Sequence, residues 1–560
     1  MIPHSSSFKD TRWDTSKRIS SRQLICLCLM TLAFTANAEP LLSSSEDVEL
    51  GRRIYMEGIL PSGESLKGQR MNAINVEGAT AACETCHRRS GMGSLEGNIA
   101  ITPITGRFLF ATEDNRPLAL VDPRAAKNLT RAHAPYTEAT LGNALREGVN
   151  VNGQSLSPLM PKYILSDAEL KAVTAYLRQL SAEVSPGVDA DTLHFATIVT
   201  AGVDPKQREV IVNMMRAAFA QRNASQQTYS GRMRSPLDLI PRTLRNWELS
   251  VWELQGSPET WSAQLIEMYR KEPVFAVISG LSNTTWAPVD AFCQKEKLPC
   301  LFPSVSLPPA QSDFYSLYYS KGVTLEANVL GKYFRNLGDK APHRLLQVYR
   351  DDELGRGAAL ALTEALKGMA ITVENRALTS QEPADVKVAL KGLSSKDAVM
   401  MWLRPADLST AFKSVPRQVP ANAYVSGFLA EDAVSVVSKA WKPYVRVVYP
   451  YELGAKRQKN ATALKEWLKT WQLPLVAELV QSEVFFNLLF MTDLVSQMLD
   501  NLYRDYMIER AEDMLSQGSN VSAYPYLSLA RGQRFASKGA YIARFAGDDK
   551  LVADTEWIAP

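Results

Sequence analysis

Histidine and cysteine are scarce in this chain: its 560 residues include 5 His and 6 Cys. A zinc site built around any Cys pair would have to find further ligands in a chain poor in both types. Charge of one sign is lacking too. The formal net charge is +3, with no basic stripe interleaved with aromatics, so nothing calls for nucleic acid. There is no Gly-x-Ser-x-Gly elbow, no phosphate-binding Gly-Lys-Ser/Thr loop and no His-Glu-x-x-His, so nucleophilic or metal-assisted hydrolysis has no support. Internal repeats and long low-complexity segments are absent. After residue 38 no apolar run reads as long enough to cross a bilayer. What remains has ordinary globular composition, 46% hydrophobic and 22% charged, in a chain too long for one core. Two or three domains are expected.

Two of the few cysteines and one of the few histidines stand together in Cys83-Glu84-Thr85-Cys86-His87. This is C-x-x-C-H, the attachment pattern of a c-type haem. Two thiols at this spacing each form a thioether to one vinyl group of a porphyrin, and the adjoining His87 lies beneath the iron as proximal ligand. A redox Cys pair or half a zinc site is the alternative. One covalently bound haem c is the expected cofactor.

Such attachment calls for export. Residues 1–38 carry Lys17, Arg18 and Arg22, then an apolar run from Leu24 to Phe34, then Ala36-Asn37-Ala38. That is the pattern of a cleavable signal peptide. The mature protein is expected in the periplasm, without stable membrane insertion. Cys26 and Cys28 leave with the signal, and Cys83 and Cys86 go to haem. Cys293 and Cys300 remain as an even pair, either a short-loop disulfide joining a helix end to a strand start or two buried thiols.

Residues 39–185 read as the first domain. Ser45–Glu57 has a helical apolar face capped by Ser45, and Thr137–Glu147 is a second helix. In a third helix, 166–180, Ser166 and Glu169 make a capping box. Glycines 91, 93 and 97 follow the motif in a loop able to run close to a haem edge. With Leu159-Met160-Pro161 before the last helix and Ala175-Tyr176-Leu177 within it, this region resembles the class I cytochrome c family. The resemblance implies an all-α domain. It also implies that Met160, the Met before Pro, is the distal ligand; His/Met ligation closes the iron and suits electron transfer. Met56, Met71, Met92 and His133 are the rivals for that position. Arg88 and Arg89 are candidates for haem propionates, or simply solvated.

Residues 186–192, inside the Pro- and Gly-containing run SAEVSPGVDADT, read as a linker. From 193 to 560, strand-like runs alternate with amphipathic helical stretches: Phe195–Val199, Leu249–Leu254, Val274–Gly280, Leu345–Tyr349, Val399–Leu403, Tyr424–Phe428 and Val445–Tyr449. That alternation argues for parallel sheets covered by helices, α/β in class, and is too long for one sheet. With Phe275–Gly280, Leu298–Ser304 and the stretch Gly331–Gly355 leading into Arg356, the region resembles the type I periplasmic solute-binding proteins of the branched-chain amino acid and amide group. The resemblance implies two lobes joined by three crossovers, expected after Ser304, after Phe428 and near Gln533–Gly539. Strand ends and helix N-termini nominate Ser282, Asn283, Thr284, Ser304, Asp352 and Arg404 for a small ligand such as an amino acid or amide.

The function that emerges is electron transfer by a monohaem cytochrome that is not an enzyme. Its redox partner would be a periplasmic dehydrogenase or another cytochrome, and its second domain would bind a ligand or dock that partner. The alternative is a ligand-sensing binder, similar to the solute receptors of ABC transporters, with haem as redox reporter. A haem peroxidase needs an open iron, which a Met ligand opposes.

Overall fold

The computed structural model describes residues 44–96, 99–110, 133–232, 245–380, 382, 384–413, 422–431, 433–516, 518–519, 522–547 and 550–560. The expected signal peptide with Cys26 and Cys28, and Gly97, lie outside the described residues.

Near the N-terminus, helix Ser45–Glu57 is capped by Ser44 rather than Ser45; the Ser44 hydroxyl accepts from the Asp47 N–H at 3.1 Å. Gly58, at φ 65°, ends it with a left-handed turn. Ser166 and Glu169 form the expected box at the start of helix Asp167–Gln179, and Thr137 caps Glu138–Glu147. The first and last of these helices cross closely. A Cβ on Gly51 would lie 2.0 Å from the Ala172 carbonyl oxygen, so only glycine permits the approach. Ile54, Tyr55, Leu170, Val173 and Leu177 fill the crossing. Burying each such side chain contributes about 2 kcal/mol.

The all-α expectation for this region is incomplete. Lys67–Arg70 pairs antiparallel with Ile74–Glu77 and with Lys162–Tyr163. Asn72 and Ala73, both at positive φ, close the hairpin. Pairing the strand that follows Met160 with the hairpin before the haem motif fixes the loop between them.

From Thr192 the chain builds two seven-stranded sheets. The first runs in space Ser304–Leu307, Leu281–Thr285, Thr192–Val199, Ala276–Ile278, Cys300–Leu301, Ser316–Leu317, with Asn246–Glu253 also paired to Thr192–Val199. Every pairing in it is parallel. The second runs Thr372–Leu378, Arg344–Arg350, Ala398–Trp402, Asn422–Ser426, Val445–Tyr449, then antiparallel Tyr541–Ala546 and Lys550–Ala553. Central strands such as Ala398–Trp402 are buried at every position, as sheets covered on both faces require.

The connections between sheets fall later than the sequence suggested. Ser304–Leu307 is itself a strand of the first sheet, so the chain leaves only after Leu317, into helix Val323–Leu337. Val445–Tyr449 still pairs with Asn422–Ser426, so the return comes after Tyr449 rather than Phe428. The third passage, Ser537 to Tyr541, lies at the expected place.

The return brings three long helices to the first sheet: Gly454–Thr470, Glu478–Met498 and Arg504–Ser516. By length and composition Glu478–Met498 is apolar enough to cross a membrane, against the sequence reading. In the fold it is a core helix. The Asn487 side-chain amide donates to the Leu301 carbonyl at 3.1 Å and to Ser279 Oγ at 2.9 Å. Cys293 and Cys300 form a disulfide, with Cα atoms 6.3 Å apart, between the end of helix Ala287–Lys295 and the strand beginning at Cys300.

Candidate functional site

The haem motif occupies a single helical turn, Glu84–His87, begun by Cys83 and stopped at Arg88. The His87 and Arg88 N–H groups reach back to the carbonyls of Cys83 and Glu84, so Cys83, Cys86 and His87 project from one short turn. Cys83 and Cys86 are not joined to each other. Burial pushes the Cys83 thiol up to about 12 and His87 down to about 4, so the imidazole is neutral. His87 is only 7% exposed. Its Nδ1 lies 2.9 Å from the Thr102 carbonyl oxygen. A neutral imidazole must donate to that carbonyl, which leaves Nε2 with its lone pair free. A haem c fits this donor set: two thiols for thioethers, and one imidazole fixed in the ligating tautomer.

Met160 is half-buried and packs against the same apolar cluster as Cys83, Tyr163 and Leu170. Three residues on, the Tyr163 hydroxyl donates to the Ala81 carbonyl at 3.0 Å, tying the Met160 segment to the stretch just before Cys83. The rivals are placed as follows. Met92 lies in the core cluster of the α/β region, and Met71 is 52% exposed. The His133 ring sits edge-on between Phe108 and Tyr136, at 5.0 and 5.2 Å. Met56 packs on the same cluster as Met160.

Arg88 and Arg89 turn away from the propionate role and toward helix Arg504–Ser516. Arg88 Nη2 meets Glu512 Oε2 at 2.9 Å, with side chains 9% and 3% exposed. Arg89 Nε meets Asp505 Oδ2 at 3.3 Å and stacks its guanidinium on Phe314. The Ser90 N–H and hydroxyl both donate to the Glu509 carboxylate. The sequence reading missed these three acids.

Of the six nominated ligand residues, three meet between the two sheets. Arg404 Nη2 donates to the Asn283 carbonyl at 2.7 Å, and Arg404 Nη1 lies 3.9 Å from Asp352 Oδ2. Asp352 also caps helix Glu353–Ala365, accepting from the Gly355 N–H at 2.7 Å. The other three are built into the first sheet. Leu281–Thr285 is a strand, not a loop, because the chain re-enters the sheet after Ser279 and Gly280, both at positive φ. Ser282 is 4% exposed, and its hydroxyl accepts from Thr200 Oγ1 at 3.0 Å. Thr284 Oγ1 and Ser304 Oγ are buried with no hydrogen-bond partner among the described residues. The Ser304 hydroxyl still lies near enough to Glu483 to favour its charged form.

The floor between the sheets was not foreseen. Tyr524 lies between Tyr319, stacked on it at 5.5 Å, and Tyr451, tilted against it at 5.1 Å between rings. The Tyr524 hydroxyl donates to Glu483 Oε1 at 2.7 Å. Burial raises Glu483 to about 7 and Glu326, which accepts from Ser426 Oγ and the Phe428 N–H, to about 8. A cavity with room for one water lies beside Glu483, Tyr319 and Tyr524.

Residues 77–181 match the sequence model of the cytochrome c family. No curated protein matches the chain significantly. Among solved structures, the chain is similar to a fatty acid ABC transporter substrate-binding protein from Thermomonospora curvata at 12% identity. That match covers 68% of this chain and 95% of the other, with TM-score 0.47. A leucine-binding protein from Thermotoga maritima matches at 12% identity, covering 66% and 99%, with TM-score 0.47. A branched-chain amino acid ABC transporter protein from Thermus thermophilus, solved with bound valine, matches at 10% identity, covering 66% and 96%, with TM-score 0.47.

Proposed function

We propose that this chain is an exported monohaem cytochrome that passes single electrons. Residues 39–185 would form its haem unit and 193–560 an α/β unit that binds a small ligand or docks the redox partner. Cys83 and Cys86 would hold the haem, and His87 and Met160 would ligate its iron. When bound, the haem supplies one-electron chemistry. The chain fixes the His87 tautomer through Thr102 and surrounds Cys83 with an apolar cluster. The observation that carries this reading is the 2.9 Å contact from His87 Nδ1 to the Thr102 carbonyl, within a stretch matching the cytochrome c family. The Cys293–Cys300 disulfide suits an oxidising compartment such as the periplasm.

The test is spectroscopic. Purified exported protein retains its pigment through acid-acetone extraction, and its ferrous form does not bind CO rapidly. Extractable pigment, or none, would overturn the reading.

One observation favours the ligand-sensing alternative for the α/β unit. Asn283, Arg404 and Asp352 come together from opposite sheets. A guanidinium and a carboxylate so placed suit the two ends of an amino acid or amide. A panel of such compounds tested for thermal shift of the holoprotein checks it.

A further inference from the structure

The haem motif is gripped from outside its own domain. Arg531 Nη1 donates to the Thr85 carbonyl at 2.7 Å, and Nη2 to the Glu84 carbonyl at 2.9 Å and to the Glu84 carboxylate. One residue further, the Gly532 N–H donates to Glu512 Oε1 at 2.9 Å. Arg534 pairs with that same Glu512, which holds Arg88 through its other oxygen. Both bonds from Arg531 to backbone carbonyls fall inside the motif itself.

The segment that carries Arg531, Gly532 and Arg534 runs on into the last passage between the sheets. The Tyr318 N–H donates to the Arg534 carbonyl, the Ala536 N–H to Tyr318, and the Ser537 N–H to Tyr319. Tyr318 and Phe535 stack with centroids 5.4 Å apart. Residues 534–537 are therefore zipped to the first passage, 318–322, and lead directly into strand Tyr541–Ala546 of the second sheet. Moving one sheet against the other must reorient these passages, since they are what joins the two bodies. Opening must also part the Arg404 reach to Asn283 and the packing of Leu307 beside Gly357 of helix Glu353–Ala365.

The haem segment has reason to respond. Arg88, directly after His87, has φ 66° and ψ 170°, a backbone state that residues with a Cβ rarely adopt. It is held there by Glu512 and by the Tyr55 hydroxyl, which donates to its carbonyl at 2.7 Å. A conformation imposed from outside changes when the constraint changes.

We infer that residues 531–537 clamp the haem segment to the passages between the sheets, so that haem redox state and opening of the cleft between the sheets are energetically linked. This rests on the electron-carrier reading. The two sites are the haem segment and the Asn283–Arg404 contact, and the coupling is reciprocal: if opening shifts the haem potential, reduction shifts opening. No ligand is needed to test it.

Amide hydrogen exchange is compared between ferric and ferrous holoprotein, with the visible spectrum recorded on the same samples. The linkage predicts exchange rates that change by about fivefold or more at 504–516, 530–540 and 281–286, the low end of typical site coupling. In Arg531→Ala, whose altered side chain is 40% exposed, the changes at 530–540 and 281–286 are lost, those at 504–516 remain through Arg88–Glu512 and Ser90–Glu509, and reversible reduction persists. Arg531→Lys, which keeps the charge but not the two-carbonyl fork, gives the same loss. Wild-type changes that stop at residue 181, or changes that cross unaltered in both variants, overturn the clamp. A chain whose spectrum shows no reducible haem sinks the electron-carrier reading instead, and the spectrum tells the two failures apart.

Discussion

Glu326→Gln isolates one buried titratable group. Glu326 is fully buried in helix Val323–Leu337, and desolvation raises its carboxyl to about 8 against the partial relief from Ser426 and from the Phe428 and Gly427 N–H groups. The unfolded chain ionises this group near 4.5. Below that pH both states hold the proton and the group is neutral in the stability balance. Between there and pH 8 the folded state keeps a proton the unfolded state has lost, so stability falls as pH rises, by about 1.4 kcal/mol per unit. Over the whole window this amounts to roughly 3 to 5 kcal/mol. Glutamine keeps an oxygen for the Phe428 N–H and an amide to donate to Ser426 Oγ, and it does not titrate. Scanning calorimetry of the holoprotein should therefore give coincident melting temperatures for variant and wild type near pH 5. At pH 8 the variant should melt about 5 °C higher or more, given roughly 2 °C per kcal/mol for a unit of this size. Glu483 contributes its own slope up to about pH 7 in both proteins, so the difference between them is the informative quantity. Melting curves displaced equally at every pH, or a variant less stable at pH 8, would refute the assignment of a protonated carboxyl.

Three further outcomes are expected. Met160→Ala should lower the reduction potential and let the ferrous protein bind CO within seconds, read by visible spectroscopy; an unchanged spectrum removes Met160 from the iron. Replacing Cys293 and Cys300 together by alanine should cost about 2 kcal/mol, the loop entropy of so short a crosslink, read as a lower denaturant midpoint with the haem spectrum intact. Arg88→Met should cost about 3 kcal/mol by stranding Glu512, softened because Arg534 and Gly532 still hold it. Arg88→Gly should recover about 1 kcal/mol of that through its backbone, so equal losses in the two variants would mean the positive φ carries no strain.

Seven strands from 193 onward were readable because each is a short apolar run between turn signals, whereas Thr372–Leu378, Tyr541–Ala546 and Lys550–Ala553 were not. Ala398–Trp402 and Val445–Tyr449 lie within a residue of their expected limits. The helices of the haem region were readable from caps: Ser166 with Glu169 is a local signal, and local signals survive folding. What escaped was non-local. The hairpin around Asn72 lacks any run of β-branched residues, and its pairing with Lys162–Tyr163 depends on contacts some 90 residues away. Ser282–Thr284 looks like a polar loop because a strand at that position carries hydroxyls, yet the Ser282 hydroxyl meets Thr200 and the strand's own backbone and the Thr284 hydroxyl is buried. Helix Glu478–Met498 hides its polar anchors, Gln481, Glu483 and Asn487, among apolar residues, so its role as core rather than span was set by partners the sequence does not mark.

The docking of the haem segment is a different kind of omission, since its signal was present. Asp505, Glu509 and Glu512 stand at spacings of four and three, one face of a helix whose other positions, Tyr506, Met507, Ile508 and Ala511, are buried and apolar. An acidic stripe on a core helix cannot stay uncompensated, because each buried carboxylate without a partner costs several kcal/mol. The chain has one conspicuous set of donors in reserve, the consecutive Arg88, Arg89 and Ser90 directly after the haem motif, and each meets its own acid. Weighing those arginines only as propionate partners or solvated side chains treated the haem region as if it stood alone. Pairing the two sets adds to the hold that Arg534, Gly532 and Tyr315 already have on Glu512 and Asp505, and it ties the residues beside His87 to a helix more than 400 positions downstream.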